Sequence, residues 1–368
     1  MLKKNKKIVY LSMLIVLLLL ILSTQGISAQ VERRFEGQKL ILEIPGGTNA
    51  EVTEKYIIAP FEEETGAEII IAEHGTSADA LSKLMTGKAT GDFPCDVIEL
   101  GGGFQERCLI IGGLLQPMDY RKITNLSGLF PAAQPRYKIS PYMGYGPVFF
   151  TGSQPLVYRT DLIKTDITSW YDLFNPEFKG KIGFMSPINV GGINILWAFQ
   201  ESEGGDMYDP SLSKAFELLE EKLVPQKPII WSSSAQSQVL ISQGDMWISQ
   251  MWDGRAYDLK RKGLPIKIII PKEGAWATQT TFDIVEGCKN IELAHAFLDY
   301  RLSPKAQAAF TSNIFYGFTN PLAEQYVSKE ILEIVLSAKE MEKLRFIDYV
   351  YQAEHQEEWT QRFLEMFN

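Results

Sequence analysis

Histidine and cysteine are scarce: His74, His295, His355, Cys95, Cys108 and Cys288 are the only ones in 368 residues. No Cys-x-x-Cys spacing occurs, so the sequence encodes neither a zinc ribbon nor a thioredoxin-like redox centre. There is no His-Glu-x-x-His helix, no Gly-x-Ser-x-Gly elbow and no Gly-x4-Gly-Lys-Ser/Thr loop, which removes the zinc proteases, the elbow-type hydrolases and the P-loop NTPases. His295 falls in an amphipathic helical pattern and His355 in an acidic one, where packed or solvated imidazoles are the ordinary case; His74 stands at a strand end before Gly75. Low-complexity tracts and repeats of fixed period are missing, which excludes solenoids and propellers. Positive charge is in deficit. The net charge is −9 and becomes more negative once Lys3, Lys4, Lys6 and Lys7 are set aside, so nucleic acid is excluded as a partner. No signature of catalysis, metal or cofactor remains, and the chain is read as a non-enzyme.

What is present is globular. An apolar content of 45% with 22% charged residues is ordinary for a folded chain, and 18 Pro with 29 Gly argue for many connections. The length exceeds one ordinary core and predicts two lobes. Four lysines precede the mostly aliphatic run Ile8 to Leu22, and Ser23 to Ala29 offers small residues for cleavage. A removable secretory signal over 1–29 is therefore expected, with retention as an anchor the alternative. No cysteine follows the apolar run, so a lipoprotein is not expected, and the mature protein is placed free in the periplasm. In that oxidising compartment Cys95 and Cys108 could pair, leaving Cys288 free; three buried apolar cysteines are the other reading.

Along the chain, strands are predicted at Lys39–Ile44, Ala67–Ala72, Asp96–Leu100, Pro155–Tyr158, Gly180–Phe184, Met246–Trp252, Pro265–Ile270 and Thr280–Val285. The intervening helices are Ala50–Thr65, Thr76–Thr86, one from Phe104, Ile193–Glu201, Ser211–Lys222, Ala235–Gln243 and Arg255–Lys262. After the last of these strands come Ile291–Leu302, Pro304–Ser312, Ser328–Glu342 and Gln356–Phe367. The pattern is α/β. It divides into lobe 1 over 30–148, lobe 2 over 149–274, a return to lobe 1 over 275–345 and a C-terminal packing helix over 346–368.

The candidate site comes from polar residues at strand ends. Trp252 and Asp253 close the strand MWISQMW, where open α/β sheets present ligand-binding groups, and Gly254 is expected to turn the chain. An indole beside a carboxylate suits a positively charged group on an apolar body, although Trp252 as core and Asp253 as a helix cap is the alternative. Gly47 and Thr48 in GGTN, Ser186 and Asn189 in the loop Ser186–Gly192, and Ser233 in the triplet Ser232–Ser234 each precede a helix. Their free N–H groups could hold an anionic or carbonyl group. Gly102, in the triplet after the strand ending at Leu100, allows close approach of backbone to a ligand.

Over nearly the whole mature chain the sequence resembles the extracytoplasmic solute-binding proteins of ABC importers, in the branch of the spermidine/putrescine-binding proteins. The resemblance runs through APFEEETGAEI, TSWYDLFNPEFKGKIGF, MWDGRAYDLKRKGLPIKIIIPKEG, NIELAHAFLDYRLSPKAQAAF and YGFTNPLAEQ. It implies the two-lobed periplasmic-binding-protein type II fold with mixed sheets and a hinge, closing on one small-molecule solute and docking on a membrane permease as a monomer, without cofactor. Trp252 sits where that branch has a stacking Trp, and Tyr316 resembles its later cleft aromatic. The branch's acidic pair appears here as Ser186 and Asn189, and its other Trp and Asp as Thr278 and Thr280. The ligand implied is then a smaller amine, an amino-acid-like zwitterion or another polar organic solute, more than a polyamine. A ligand sensor for a membrane receptor, or an enzyme using the same cleft, are the alternatives.

Overall fold

The structure, a computed structural model, describes residues 34–131, 133–134, 145–187 and 192–367. The expected signal segment and Asn189 lie outside these residues. Strand β1 (Lys39–Pro45) buries Leu40, Leu42 and Ile44 on one face and pairs in parallel with β2 (Glu68–His74), from Lys39 opposite Glu68 to Pro45 opposite His74. The crossover between them is not one regular helix. Helical turns at Thr48–Thr53 and Ala59–Thr65 flank a π-turn at Glu54–Ile58, because Pro60 has no N–H to return to the preceding turn and its ring crowds that turn's carbonyl. Gly66, in the left-handed region, ends it.

The first sheet has the order β12-β4-β11-β3-β1-β2, adding β3 (Val97–Gly101), β4 (Val148–Thr151), β11 (Thr280–Ile284) and β12 (Gly317–Phe318). The β1, β2 and β3 strands run parallel, while β11 is antiparallel to both β3 and β4. The second sheet has the order β7-β6-β8-β5-β9, built from β5 (Leu156–Arg159), β6 (Ile182–Met185), β7 (Ile229–Trp231), β8 (Ile248–Gln250) and β9 (Ile266–Ile269). These are the two lobes, each a mixed sheet covered by helices.

Two crossings join the lobes, and they touch. The segment from β4 to β5 lies against β10 (Ala275–Ala277): Thr278 donates its N–H to Gly152 O at 2.8 Å, Gln154 to Trp276 O at 3.0 Å, and Ser153 bridges Ala277. A third piece of chain, β13 (Leu344–Phe346), pairs in parallel with β10 at the same place. From there the helix Tyr349–Met366 leaves, capped by Asp348, and packs on the second lobe. Phe363 stacks on Phe184 at 5.2 Å, Trp359 Nε1 donates to Pro210 O at 2.7 Å, and the Arg362 guanidinium lies 4.2 Å over Phe216.

Several expectations are corrected. The last helix begins at Tyr349, seven residues before Gln356, because Asp348 supplies the cap. Ser328–Glu342 is two single turns, Lys329–Leu332 and Ala338–Met341, each with its own serine cap. Gly254 does not turn the chain but lies in the first turn of the helix Asp253–Arg261, and β8 is shorter than the seven residues expected. All three cysteines are free thiols. Burial pushes Cys108 and Cys288 up to about 12, so neither is a thiolate near neutral pH.

Candidate functional site

The parallel strands of both sheets point their C-terminal ends at the junction between lobes. On one side are Gly46–Asn49 after β1 and Gly101–Gly103 at the end of β3; on the other are Ser186 after β6, Ser233 after β7 and the Trp252–Asp253 pair after β8. This is where an open α/β sheet binds ligands.

Gly152, on the first crossing, is the point of convergence. A Cβ there would lie 3.4 Å from Thr278 Oγ1, 3.8 Å from Asp253 Oδ1 and 3.9 Å from Tyr316 Cε1. Three of the expected site residues, from three separate parts of the chain, thus surround one glycine. Thr278 Oγ1 also accepts from Gly152 N at 3.3 Å. The Tyr316 ring stacks on Phe150 at 5.1 Å, and burial beside the charges of Glu99 and Asp253 raises its hydroxyl pKa. Trp252 immediately precedes the helix and is half-buried, its indole packed against the lobe 2 core formed by Val157, Met185, Trp231 and their neighbours.

Asp253 is only 2% exposed. Its Oδ2 accepts from the Ser153 N–H at 2.7 Å and the Ser153 hydroxyl at 2.5 Å, and its Oδ1 from Gly254 N at 2.7 Å. Burial raises the carboxyl to about 6, while these donors act against that rise. The carboxylate therefore holds the crossing segment to the start of a helix, but it is not that helix's cap: Trp252 stands at the N-cap position without a side-chain capping bond, and Asp253 is the first helical residue.

A second buried carboxylate was missed. Glu99 on β3 is 5% exposed, and both its oxygens accept from Asn49 Nδ2 at 3.2 Å. Desolvation lifts it to about 7 against the opposing pull of Arg301, which is itself lowered to about 10 by burial. The available signal was an acid at an alternating position of the otherwise apolar strand VIEL, where a lone charge on a covered face calls for explanation.

The remaining expected residues are distributed along the rims. Gly47 is exposed with φ +69°, and Thr48 is exposed at the first helical turn. Gly102 has φ +62° and donates to Gln279 O at 3.3 Å. Ser186 is buried and donates its N–H to Trp231 O, while Ser233 Oγ accepts from Gln236 N at 3.2 Å as an ordinary cap. His74, fully buried against Glu43 at 3.7 Å, has its pKa lowered by desolvation. Among the described residues no three His, Cys, Asp or Glu side chains gather as they would around a metal ion.

The motifs that carry the family resemblance hold one another. Glu273 of the KEG segment accepts from Ser169 Oγ and Trp170 N of SWYDLF, and Trp170 Nε1 donates to Gly274 O at 2.8 Å. Gln307 of KAQAAF accepts from the N–H groups of Thr319 and Asn320 in YGFTNP at 2.7 and 2.8 Å.

The model of the bacterial extracellular solute-binding proteins matches residues 56–333. Spermidine/putrescine-binding periplasmic protein 1 of Haemophilus influenzae is 27% identical over 283 residues, 75% of each chain. A gamma-aminobutyric acid-binding protein of Pseudomonas aeruginosa is 24% identical over 353 residues, 93% of this chain and 94% of that protein. Among solved structures, a putative extracellular solute-binding protein from Bordetella parapertussis superposes with a TM-score of 0.78 at 23% identity, covering 90% of this chain and 99% of that one.

Proposed function

The chain belongs to the bacterial extracellular solute-binding protein family, and from that premise we propose that it is the binding component of an ABC importer. It captures a small polar organic solute, an amine or an amino-acid-like or polyamine-related compound, between its lobes and presents it to a membrane permease. The observation that carries this reading is the convergence of Asp253, Thr278 and Tyr316 on Gly152, at the crossing between two sheets whose strand ends face each other. A solute bound there contacts both lobes and favours the closed arrangement by its differential affinity, and closure is what a permease can sense. The names of the relatives support a nitrogenous solute: those proteins bind spermidine and putrescine, or gamma-aminobutyric acid. On this reading the protein works outside the cytoplasm, as a monomer, after removal of its first 29 residues. Among the described residues no helix is long and apolar enough to cross a membrane.

Thermal-shift titration of the mature protein with putrescine, spermidine, gamma-aminobutyrate, amino acids and organic acids tests the reading. A cleft ligand at one hundred times its Kd adds about 2.7 kcal/mol to stability. Absence of stabilisation by every compound would count against solute capture, and an affinity unchanged in both Trp252→Ala and Asp253→Ala would remove those residues from the site.

A further inference from the structure

The helix Asp253–Arg261 lies between β8 and β9 of lobe 2, and its Ala256 and Leu259 pack into that lobe's core. Asp253, Tyr257, Lys260 and Arg261 share one stripe of it, since residues three and four apart on a helix are neighbours. Beyond Asp253, every member of the stripe reaches the same stretch of chain on the other side of the junction. The Tyr257 hydroxyl accepts from Leu336 N at 3.1 Å, Lys260 Nζ donates to Glu333 O, and the Arg261 guanidinium lies 5.4 Å over the ring of Phe315, the residue before Tyr316.

That receiving stretch is fastened to lobe 1. Ala338 N donates to Glu324 Oε2 at 2.6 Å, the turn holding Glu324 is capped by Asn320, and Asn320 N donates to Gln307. A Cβ on Gly317 of β12 would lie 3.4 Å from Met341 Cε. Between the single turns Lys329–Leu332 and Ala338–Met341, Leu336 has no helical partner for its N–H. Among the described residues its acceptor is the Tyr257 hydroxyl alone, and both residues are buried. Parting the lobes therefore strands a buried donor until water reaches it. Arg261 is exposed and Lys260 half-buried, so water replaces their contacts at little cost, and the Tyr257 bond is the one that resists.

We propose that this stripe is a clasp which lobe closure makes and opening breaks, with Tyr257 the positioning residue that ties the helix start at Asp253 to lobe 1. The start of the helix meets Tyr316 beside Gly152; one turn on, the same face grips the stretch that follows Tyr316 in lobe 1. A solute held between Asp253 and Tyr316 steadies both sides of the clasp, and the clasp in turn slows the solute's escape. The inference rests on the solute-capture reading for its purpose and names the contact through which capture and closure are coupled.

Amide hydrogen exchange of the mature protein tests it, because Leu336 N–H is bonded across the lobes and Ala338 N–H, in the same stretch, within lobe 1. In the unliganded protein the Leu336 amide is expected to exchange faster than that of Ala338. Saturation with whichever of putrescine and gamma-aminobutyrate raises the melting temperature should slow Leu336 about tenfold or more and leave Ala338 unchanged. Fraying of the stretch would move both amides together, and that result overturns the inference. Tyr257→Phe keeps the ring and removes only the acceptor. It should raise the solute's dissociation rate about tenfold, as for one lost hydrogen bond, and leave the association rate as it was. Arg261→Gln, on an exposed side chain, should act in the same direction by less. If Trp252→Ala destroys solute affinity while Tyr257→Phe and Arg261→Gln leave both rates unchanged, the clasp falls and solute capture stands. If neither compound binds, the unliganded exchange decides: Leu336 faster than Ala338 upholds the clasp without the solute reading, and equal rates overturn it.

Discussion

Asp253 and Ser153 are joined by three hydrogen bonds: Asp253 Oδ2 accepts from the Ser153 N–H at 2.7 Å and hydroxyl at 2.5 Å, and Asp253 N donates to Ser153 O at 3.0 Å. The pair closes a ring between the first crossing and the start of a helix in lobe 2. Any rotation of the lobes about this crossing must carry that helix with it.

Ser153→Ala removes one donor from a buried carboxylate and is expected to cost about 1–2 kcal/mol in urea unfolding. The Asp253 carboxyl should rise further above about 6, since the lost hydroxyl favoured the ionised form. Asp253→Ala strands two buried donors and should cost more than Ser153→Ala. Equal stability of the serine variant and the wild type would mean that solvent replaces the hydroxyl.

The buried carboxyls set a pH dependence. Asp253 stands at about 6 and Glu99 at about 7, both raised from ordinary values near 4, and Asp283 is raised as well. A raised carboxyl pKa means that the fold holds the proton more tightly than the unfolded chain does. The stability these groups contribute is present below pH about 4 and is lost as pH climbs through 6 and 7. Glu99→Gln, which mimics the protonated acid, should therefore gain on the wild type by about 1–3 kcal/mol at pH 8 and by little at pH 4.5. Denaturant midpoints across that range check this, and parallel curves for the two proteins would be the contrary result.

How far the sequence reaches can be judged from these same residues. The lobes and most strands of four or more residues are legible because runs of consecutive aliphatic residues, as in β1 and β2, stand out between polar and turn residues before any partner is known. The strands β10, β12 and β13 have two or three residues and no period to read; they exist because the crossing segments lie side by side. Asp253, Thr278 and Tyr316 were named from strand ends and family likeness, and their gathering around Gly152 was invisible, since it depends on a missing Cβ between crossings. Glu99 was passed over as one more strand residue, because burial of a lone polar group is a tertiary fact.

Gly103 lies at φ +86° and a Cβ on it would come within 2.8 Å of the Tyr349 side chain. Gly103→Ala combines left-handed strain with a clash, for an expected loss of about 2–4 kcal/mol. Adding Tyr349→Gly, which removes both the Cβ and the ring that the new methyl meets, should return the clash part but not the strain, so the double variant is less destabilised than the sum of the two single changes. Simple additivity would show that the C-terminal helix moves aside instead.

Gln307 is the last test, because it connects fold to site. Its Oε1 accepts from Thr319 N and Asn320 N, and its Nε2 donates to Phe149 O and Thr319 Oγ1, both at 3.0 Å. One amide thus satisfies two buried N–H groups of the turn that begins at Tyr316 and fastens that turn to β4, the strand leading into the hinge. Gln307→Ala leaves those N–H groups without an acceptor and should cost about 2–4 kcal/mol. The Thr319 and Asn320 amides should then exchange with solvent faster than neighbouring amides of β11, and solute affinity should fall, because Tyr316 loses the anchor that holds its ring on Phe150. If those two amides stay as protected as in the wild type, water has taken the place of the glutamine, and Tyr316 is held by its stacking alone.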